Sequence, residues 1–291
     1  MKVLIVGASG LVGGNCLLHL KEKGHDVTGT HLSFPYGGTV YYNPLNPTDP
    51  KNINIAESNP EVIIHCGALT NVDYCENHPT ESYERTVVST QNIAAIARQI
   101  GARIIYLSTD YVFDGQSGPY IESDHVNPLN IYGKHKLEAE RLVLNQSSAN
   151  IIIRVTNVYG DEPRGKNFVS RIVTAIRKNE RLTLSLPFDQ FATPVNALDI
   201  ARVIHKLLVN QSAGIYHIGS TDYFNRVQLF RKVLQYFPEY DNYQLQVLST
   251  KALIQPALRP LRGGLLSAKF IQENPEFNFT NVDDYLKKIQ N

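Results

Sequence analysis

The feature that most constrains this chain lies in its first thirteen residues. Val3-Leu4-Ile5-Val6 is an unbroken apolar run that stops at Gly7-Ala8-Ser9-Gly10-Leu11-Val12-Gly13. Apolar residues without alternation fit a parallel strand buried on both faces. Beyond the run, Leu11, Cys16, Leu17 and Leu20 fall on one side of a helical pattern that stops near Gly24. Strand, glycine-rich turn and helix in direct succession are what a dinucleotide-binding loop requires. Gly7 permits the tight turn, Gly10 lets the backbone approach a pyrophosphate, and Gly13 lets the helix pack on the strand. Ser9, Leu11 and Val12 belong to the same cofactor-binding loop, at a helix N-terminus whose partial positive charge faces the phosphates. The spacing is GxxGxxG, not the usual GxGxxG, so a purely structural turn is the competing reading.

Further strands follow in order. Asp26 to His31 reads as the second, ending Thr28-Gly29-Thr30-His31-Leu32-Ser33 with no carboxylate. An acid there would bind the ribose 2′-hydroxyl of NAD. Its absence removes repulsion against a 2′-phosphate, which His31, Thr30 or Ser33 could hydrogen-bond, so NADPH is expected, with NADH as the alternative. Thr39 to Tyr42 is a short third strand. Glu61 to His65 is the fourth and leads into Cys66-Gly67-Ala68, small residues that leave room for a flat ring or a ribose. Pro79 to Ile100 is a long helix closed by Gly101. Arg103 to Leu107 is the fifth strand, with Ser108-Thr109-Asp110 at its end. Asn127 to Leu144 is a helix, and Ile151 to Val155 is a sixth strand. The alternation predicts an α/β fold, a Rossmann-type doubly wound parallel sheet with a smaller C-terminal substrate lobe. We divide it as residues 1–156, the dinucleotide-binding domain, and 157–291, a substrate lobe partly interleaved with the first. Gly7, His31, Gly67 and Thr109 all follow strands, so one crevice should hold them.

Tyr132 and Lys136 stand four apart on that last helix, on one face. A phenol titrates at about 10 and an ammonium at about 10.4. Side by side, the ammonium favours the phenolate and brings the tyrosine toward working pH. The spacing alone is common on solvated helices. Lys plus Arg number 28 against 27 for Asp plus Glu, a balance that gives no support for nucleic-acid or membrane-surface binding. Cys16, Cys66 and Cys75 lack metal-ligand or redox spacing and read as free buried thiols of a reducing cytoplasm. The N-terminal apolar run is too short for a signal peptide and no stretch reaches a membrane span, so a soluble cytoplasmic protein is expected.

Taken in order, the glycine loop, Thr109 and the Tyr132/Lys136 pair resemble an extended short-chain dehydrogenase/reductase. Within that superfamily the chain is most similar to the dTDP-4-dehydrorhamnose reductases. The strings that carry the resemblance are Ser108-Thr109-Asp110-Tyr111-Val112-Phe113-Asp114-Gly115 and Asn130-Ile131-Tyr132-Gly133-Lys134. Thr70-x-Val72-Asp73, Asp189-Gln190-Phe191-Ala192-Thr193-Pro194 and Arg259-Pro260 followed by Leu265 also match. The resemblance implies that Tyr132 protonates the C4 ketone oxygen of a nucleotide-linked 6-deoxyhexose. Lys136 would hold the nicotinamide ribose and keep the Tyr132 pKa low, and Thr109 would polarise the same carbonyl. Thr70, Val72, Asp110, Asn157, Gln190 and Arg259 are the implied substrate contacts. An arginine suits a diphosphate because its fork is always charged. Superfamily members are often dimers, so a homodimer is the partner the resemblance suggests.

The departures bear on the substrate. These reductases often carry a tryptophan after the sixth strand, where this chain reads Arg154-Val155-Thr156-Asn157-Val158-Tyr159-Gly160 and has no tryptophan at all. Gly263 replaces a usual serine. Asn15 stands where magnesium-dependent members have glutamate, so no metal is expected. Two alternatives stay open: an epimerase that retains its NAD, and a non-catalytic regulatory subunit of the same fold. Tyr111 after Asp110, where dehydratases have Asp-Glu, argues against dehydration.

Overall fold

In a computed structural model describing residues 1–290, the apolar runs become the strands of one parallel sheet. The strands are β1 (Lys2–Val6), β2 (Asp26–His31), β3 (Val40–Tyr41), β4 (Val62–His65), β5 (Arg103–Thr109), β6 (Ile151–Val155), β7 (Leu182–Pro187), β8 (Phe191–Ala192), β9 (Gly214–Ile218), β10 (Phe224–Asn225) and β11 (Tyr243–Leu248). Seven form the central sheet in the order β3-β2-β1-β4-β5-β6-β9, each pair parallel. The order reverses beside β1, which makes the crevice above β1 and β4 the place where ligands of such sheets bind.

The helices are α1 (Leu11–Glu22), α2 (Ile55–Ser58), α3 (Val72–Asn77), α4 (Pro79–Tyr83), α5 (Ser89–Ile100), α6 (Ile131–Gln146), α7 (Phe168–Arg177), α8 (Ala197–Val209), α9 (Arg226–Leu234), α10 (Ala268–Glu273) and α11 (Val282–Gln290). Two cores sandwich the sheet. Val3 and Ile5 of β1 pack with α1 and α8 on one side, and Leu4 and Val6 pack with α5 and α6 on the other. This is why β1 shows no polar alternation. A third core joins α7, α9 and α11 to the parallel pair β7 and β11. The second half of the chain also returns to the main sheet, where β9 pairs with β6 and α8 lies against α1.

Two helices differ in detail from the sequence reading. The helix expected from Asn127 starts at Ile131, because Asn130 is extended and caps it by accepting from Gly133 N at 2.8 Å. The helix expected over Pro79 to Ile100 is continuous but carries a π turn at Glu84–Val88. At its end Ser89 and Thr90 hydroxyls donate back to the Arg85 and Thr86 carbonyls, at 2.7 and 2.6 Å. Gly101 closes α5 at φ +71°, as expected of a left-handed cap.

Candidate active site

The glycine loop has the constraints that a bound dinucleotide would impose. Gly7 adopts φ +86°, and a Cβ there would meet Gly67 N at 3.1 Å on the neighbouring strand end. A Cβ on Gly13 would collide with Gly7 O and come within 2.9 Å of Ala8 Cα, so α1 could not sit this close to the turn. Gly10 is the N-cap of α1; no side chain caps that end and no acid occupies its first turn. The amides of Leu11 and Val12 and the dipole of a twelve-residue helix are thus free for anionic oxygens. Ser9 is buried in the same turn. Thr30 supports the turn from β2: its carbonyl accepts Ala8 N at 2.8 Å and its hydroxyl accepts Gly7 N at 3.4 Å. His31 is half-buried beyond it, its Nδ1 2.9 Å from Thr39 Oγ1 and its ring edge-on to Tyr41. A cleft of about 570 Å3 opens beside Gly10 and Leu11 toward Asp161 and Tyr285. It does not reach Thr109 or Tyr132. Asn15 closes part of it by donating to Leu11 O and Asp161 O, at 2.8 and 3.0 Å.

The second half of the site is built by α6 lying along β5. Tyr132 faces Thr109 at the end of β5, whose hydroxyl favours the phenolate, and Lys136 Nζ donates to Leu107 O at 2.5 Å. Four helical residues rise about 6 Å and two strand residues about 6.6 Å, so residues 132 and 136 match 109 and 107 in register. Gly133 makes the approach possible, since a Cβ there would collide with Tyr111 O. The start of α6 is pinned from outside: Ile131 N donates to Glu76 Oε2 at 2.9 Å, and Asn130 Nδ2 to Leu258 O at 2.7 Å. Farther along, Glu140 meets Arg154 of β6 in a bidentate pair at 3.0 and 2.7 Å, both side chains buried. Arg154 Nη1 also donates to His217 Nε2 at 3.2 Å, while His217 Nδ1 donates to Tyr120 O at 2.9 Å.

The electrostatics differ from the simple pairing of Tyr132 with Lys136. Burial pushes the Tyr132 phenol well above its usual range, with only the Thr109 hydroxyl opposing it. Burial brings Lys136 down to about 7, against the pull of Glu140 and Cys66. The ammonium lies 4.0 Å from the Tyr106 ring centre. In this structure desolvation outweighs the charge effect that the spacing suggested, and Tyr132 is held as a protonated phenol. Cys66, Gly67 and Ala68 are half-buried at the end of β4, with the Cys66 thiol pushed up to about 12 by burial. All three cysteines are free.

The residues implied as substrate contacts fall into different settings. Asp110 is turned inward: its carboxylate accepts Thr156 Oγ1 at 2.7 Å and Gly264 N at 3.2 Å, so its work is to tie β5, β6 and the C-terminal loop together. Burial raises its pKa. Arg259 is largely buried and paired with Asp73 at 2.8 Å, which joins the Thr70-x-Val72-Asp73 string to the Arg259-Pro260 string. Thr70 is exposed and Val72, half-buried, begins α3. Gln190 Nε2 donates to Thr250 Oγ1 at 2.9 Å. Asn157 stands in left-handed backbone at φ +41° and accepts Arg226 Nη2 at 2.6 Å. Arg226, Tyr111, whose ring is edge-on to Tyr132 at 5.7 Å, and Gly133 were not among the site residues of the sequence reading, although Tyr111 and Gly133 stand in the strings that carry the resemblance. Gly133 was within reach of it, as the small residue beside Tyr132.

The whole described chain, residues 1–290, matches the RmlD substrate binding domain family. Methionine adenosyltransferase 2 subunit beta of Xenopus tropicalis is 33% identical over 234 residues, 78% of this chain and 70% of that protein. A dTDP-4-dehydrorhamnose reductase from Clostridium acetobutylicum superposes over 100% of both chains, with TM-score 0.84 and 28% identity. One from Bacillus anthracis, solved in complex with NADP, covers 99% of this chain and 97% of its own, with TM-score 0.83 and 25% identity. Fold, strand-end site and sequence agree, and the chain belongs to the RmlD substrate binding domain family, on the Rossmann fold of the extended short-chain dehydrogenase/reductases.

Proposed function

We propose that this chain is an NADPH-dependent reductase of the C4 ketone of a nucleotide-linked 4-dehydro-6-deoxy sugar. The observation that carries the reading is the register of α6 on β5, which brings Tyr132 to Thr109 and sets Lys136 one helical turn behind. The glycine turn fits a dinucleotide, as the backbone clash a Cβ at Gly13 would create attests. When bound, the nicotinamide would supply the hydride. Tyr132, kept protonated by its surroundings, gives its proton to the oxygen that receives negative charge. Thr109 donates a hydrogen bond to the same oxygen as charge develops. Lys136, at about 7, binds ribose hydroxyls as an ammonium and restores the Tyr132 proton from the side facing β5. The NADP complex of the Bacillus anthracis reductase and the lack of an acid at the end of β2 both favour NADPH over NADH.

The test is NADPH oxidation across a panel of dTDP-, GDP- and UDP-linked 4-keto-6-deoxy sugars. Turnover with one of them is expected, and none with any would overturn the reading. NAD that co-purifies and resists removal would point to an epimerase instead. A second reading rests on the identity with methionine adenosyltransferase 2 subunit beta: a subunit that keeps the fold and a cofactor site while its partner catalyses. Recovery of a stoichiometric larger enzyme on affinity purification, with no sugar turnover, would favour it.

A further inference from the structure

Arg226 is a charged group that the reading above leaves without a role. It occupies the first position of α9, directly after the capping Asn225. Its guanidinium carbon lies 4.9 Å from the centre of the Phe168 ring, and its Nη2 donates to Asn157 Oδ1 at 2.6 Å. None of the ion pairs among the described residues includes it. Its partner sets its place in the fold. Asn157 lies just beyond the end of β6, beside the β5 end that carries Thr109, so the hydrogen bond holds Arg226 on the crevice side of the sheet. Burial lowers its pKa, while Tyr111 and Asp110, beside the Tyr132 end of the site, raise it.

A half-buried guanidinium with no carboxylate within ion-pair distance keeps donors free for an anion. Asn157 uses one of five N–H donors and fixes the plane of the fork. Arg259, the arginine that the resemblance implies as a substrate contact, is already committed to Asp73. We propose that Arg226, oriented by Asn157, binds the diphosphate of the substrate, and that Arg259 holds the loop over the crevice. The inference rests on the nucleotide-sugar reading and deepens it by assigning the charged contact.

The test is calorimetric binding of dTDP, UDP and GDP and of the parent nucleosides to wild type, Arg226→Gln and Arg259→Gln. NADPH binding serves as the check of folding. For the diphosphate that wild type prefers, Arg226→Gln should weaken binding roughly 30-fold or more. Nucleoside binding should stay within about threefold, and Arg259→Gln should cost less than Arg226→Gln. If Arg226→Gln fails to bind NADPH, Arg226→Lys, which keeps charge and stem but loses the fork, is compared in the same way and should still weaken diphosphate binding selectively. Equal loss for diphosphate and nucleoside, or no loss in either variant, overturns the assignment of Arg226 alone. Wild type that binds none of the three diphosphates overturns the nucleotide-sugar reading and this inference with it.

Discussion

Replacing Glu140 by glutamine should both destabilise the protein and retune its lysine. Glu140 and Arg154 are 1% and 4% exposed and share two hydrogen bonds. Neutralising one partner leaves the Arg154 charge buried without a counter-charge, facing one amide oxygen, one amide NH2 that it cannot bond, and the ring nitrogen of His217. Breaking such a pair costs about 3–5 kcal/mol. An unfolding entropy of about 2.1 cal/mol/K per residue gives this 291-residue chain about 0.6 kcal/mol/K, so Tm should fall by roughly 5–8 °C. Calorimetric melts at neutral pH measure this directly. The same carboxylate favours the charged form of Lys136, so in Glu140→Gln the lysine should titrate below its present value of about 7. The pH at which cofactor affinity turns over should shift down with it. Replacing both partners, Glu140→Leu with Arg154→Met, removes the uncompensated charge and should recover most of the stability without restoring the lysine profile. A Glu140→Gln melt within about 1 °C of wild type, less than one-fifth of the expected shift, would refute the reasoning.

Other outcomes follow from the same geometry. Tyr132→Phe keeps the ring and its packing but removes the proton, so turnover should fall about 10²–10⁴-fold with cofactor affinity unchanged; near-wild-type turnover in steady-state assays would refute its role. Gly13→Ala forces α1 away from the backbone of Gly7 and Ala8 and should cost about 1–3 kcal/mol in urea unfolding together with a loss of NADPH affinity in fluorescence titration; a variant that binds NADPH like wild type would count against the loop. Burial holds His65 and His217 down to about 3, so protons bind the unfolded state more readily. Their contribution is complete above an unfolded pKa of about 6.5 and is lost as pH falls, at about 1.4 kcal/mol per pH unit for each. His19, His25, His135 and His205 are also lowered and act in the same direction. Urea midpoints should therefore decline between pH 6.5 and 5, before most carboxylates titrate; a flat profile there would contradict the burial of these rings.

What the sequence made legible was local. The apolar run and glycine spacing of residues 3–13 define strand, turn and helix within one stretch, and the structure keeps every element. The sixth strand and the Tyr132/Lys136 face were equally readable, because each depends on periodicity over a few residues. What escaped depends on contacts between distant parts of the chain. Leu107 O, the acceptor for Lys136, is a backbone atom with no signature of its own. The inward turn of Asp110 requires Thr156 and Gly264, and the engagement of Arg259 requires Asp73. The start of α6 at Ile131 was obscured because Asn127 and Asn130 are both plausible caps. Only Asn130 finds Gly133 N within reach of its side chain; the side chain of Asn127 donates to Asp114 at 3.1 Å.

The cost of burying Lys136 bears on whether this site is used for chemistry or only for binding. Its pKa is brought from 10.5 to about 7, a differential of about 5 kcal/mol against the charged form. A scaffold that needed only packing over Tyr106 would be served by methionine at that position, with no such penalty. A bound ribose accounts for the lysine in either reading, because both a reductase and a cofactor-holding subunit must orient that sugar. Tyr132 separates them. A half-buried phenol facing Thr109 at the open end of β5 has no work in a subunit that only binds, whereas in a reductase it is the proton donor. Lys136→Ala should therefore weaken NADPH binding under both readings, while loss from Tyr132→Phe should appear solely in sugar turnover. If Tyr132→Phe instead altered only assembly with a partner protein, the tyrosine would belong to a binding surface and the reductase reading would fall.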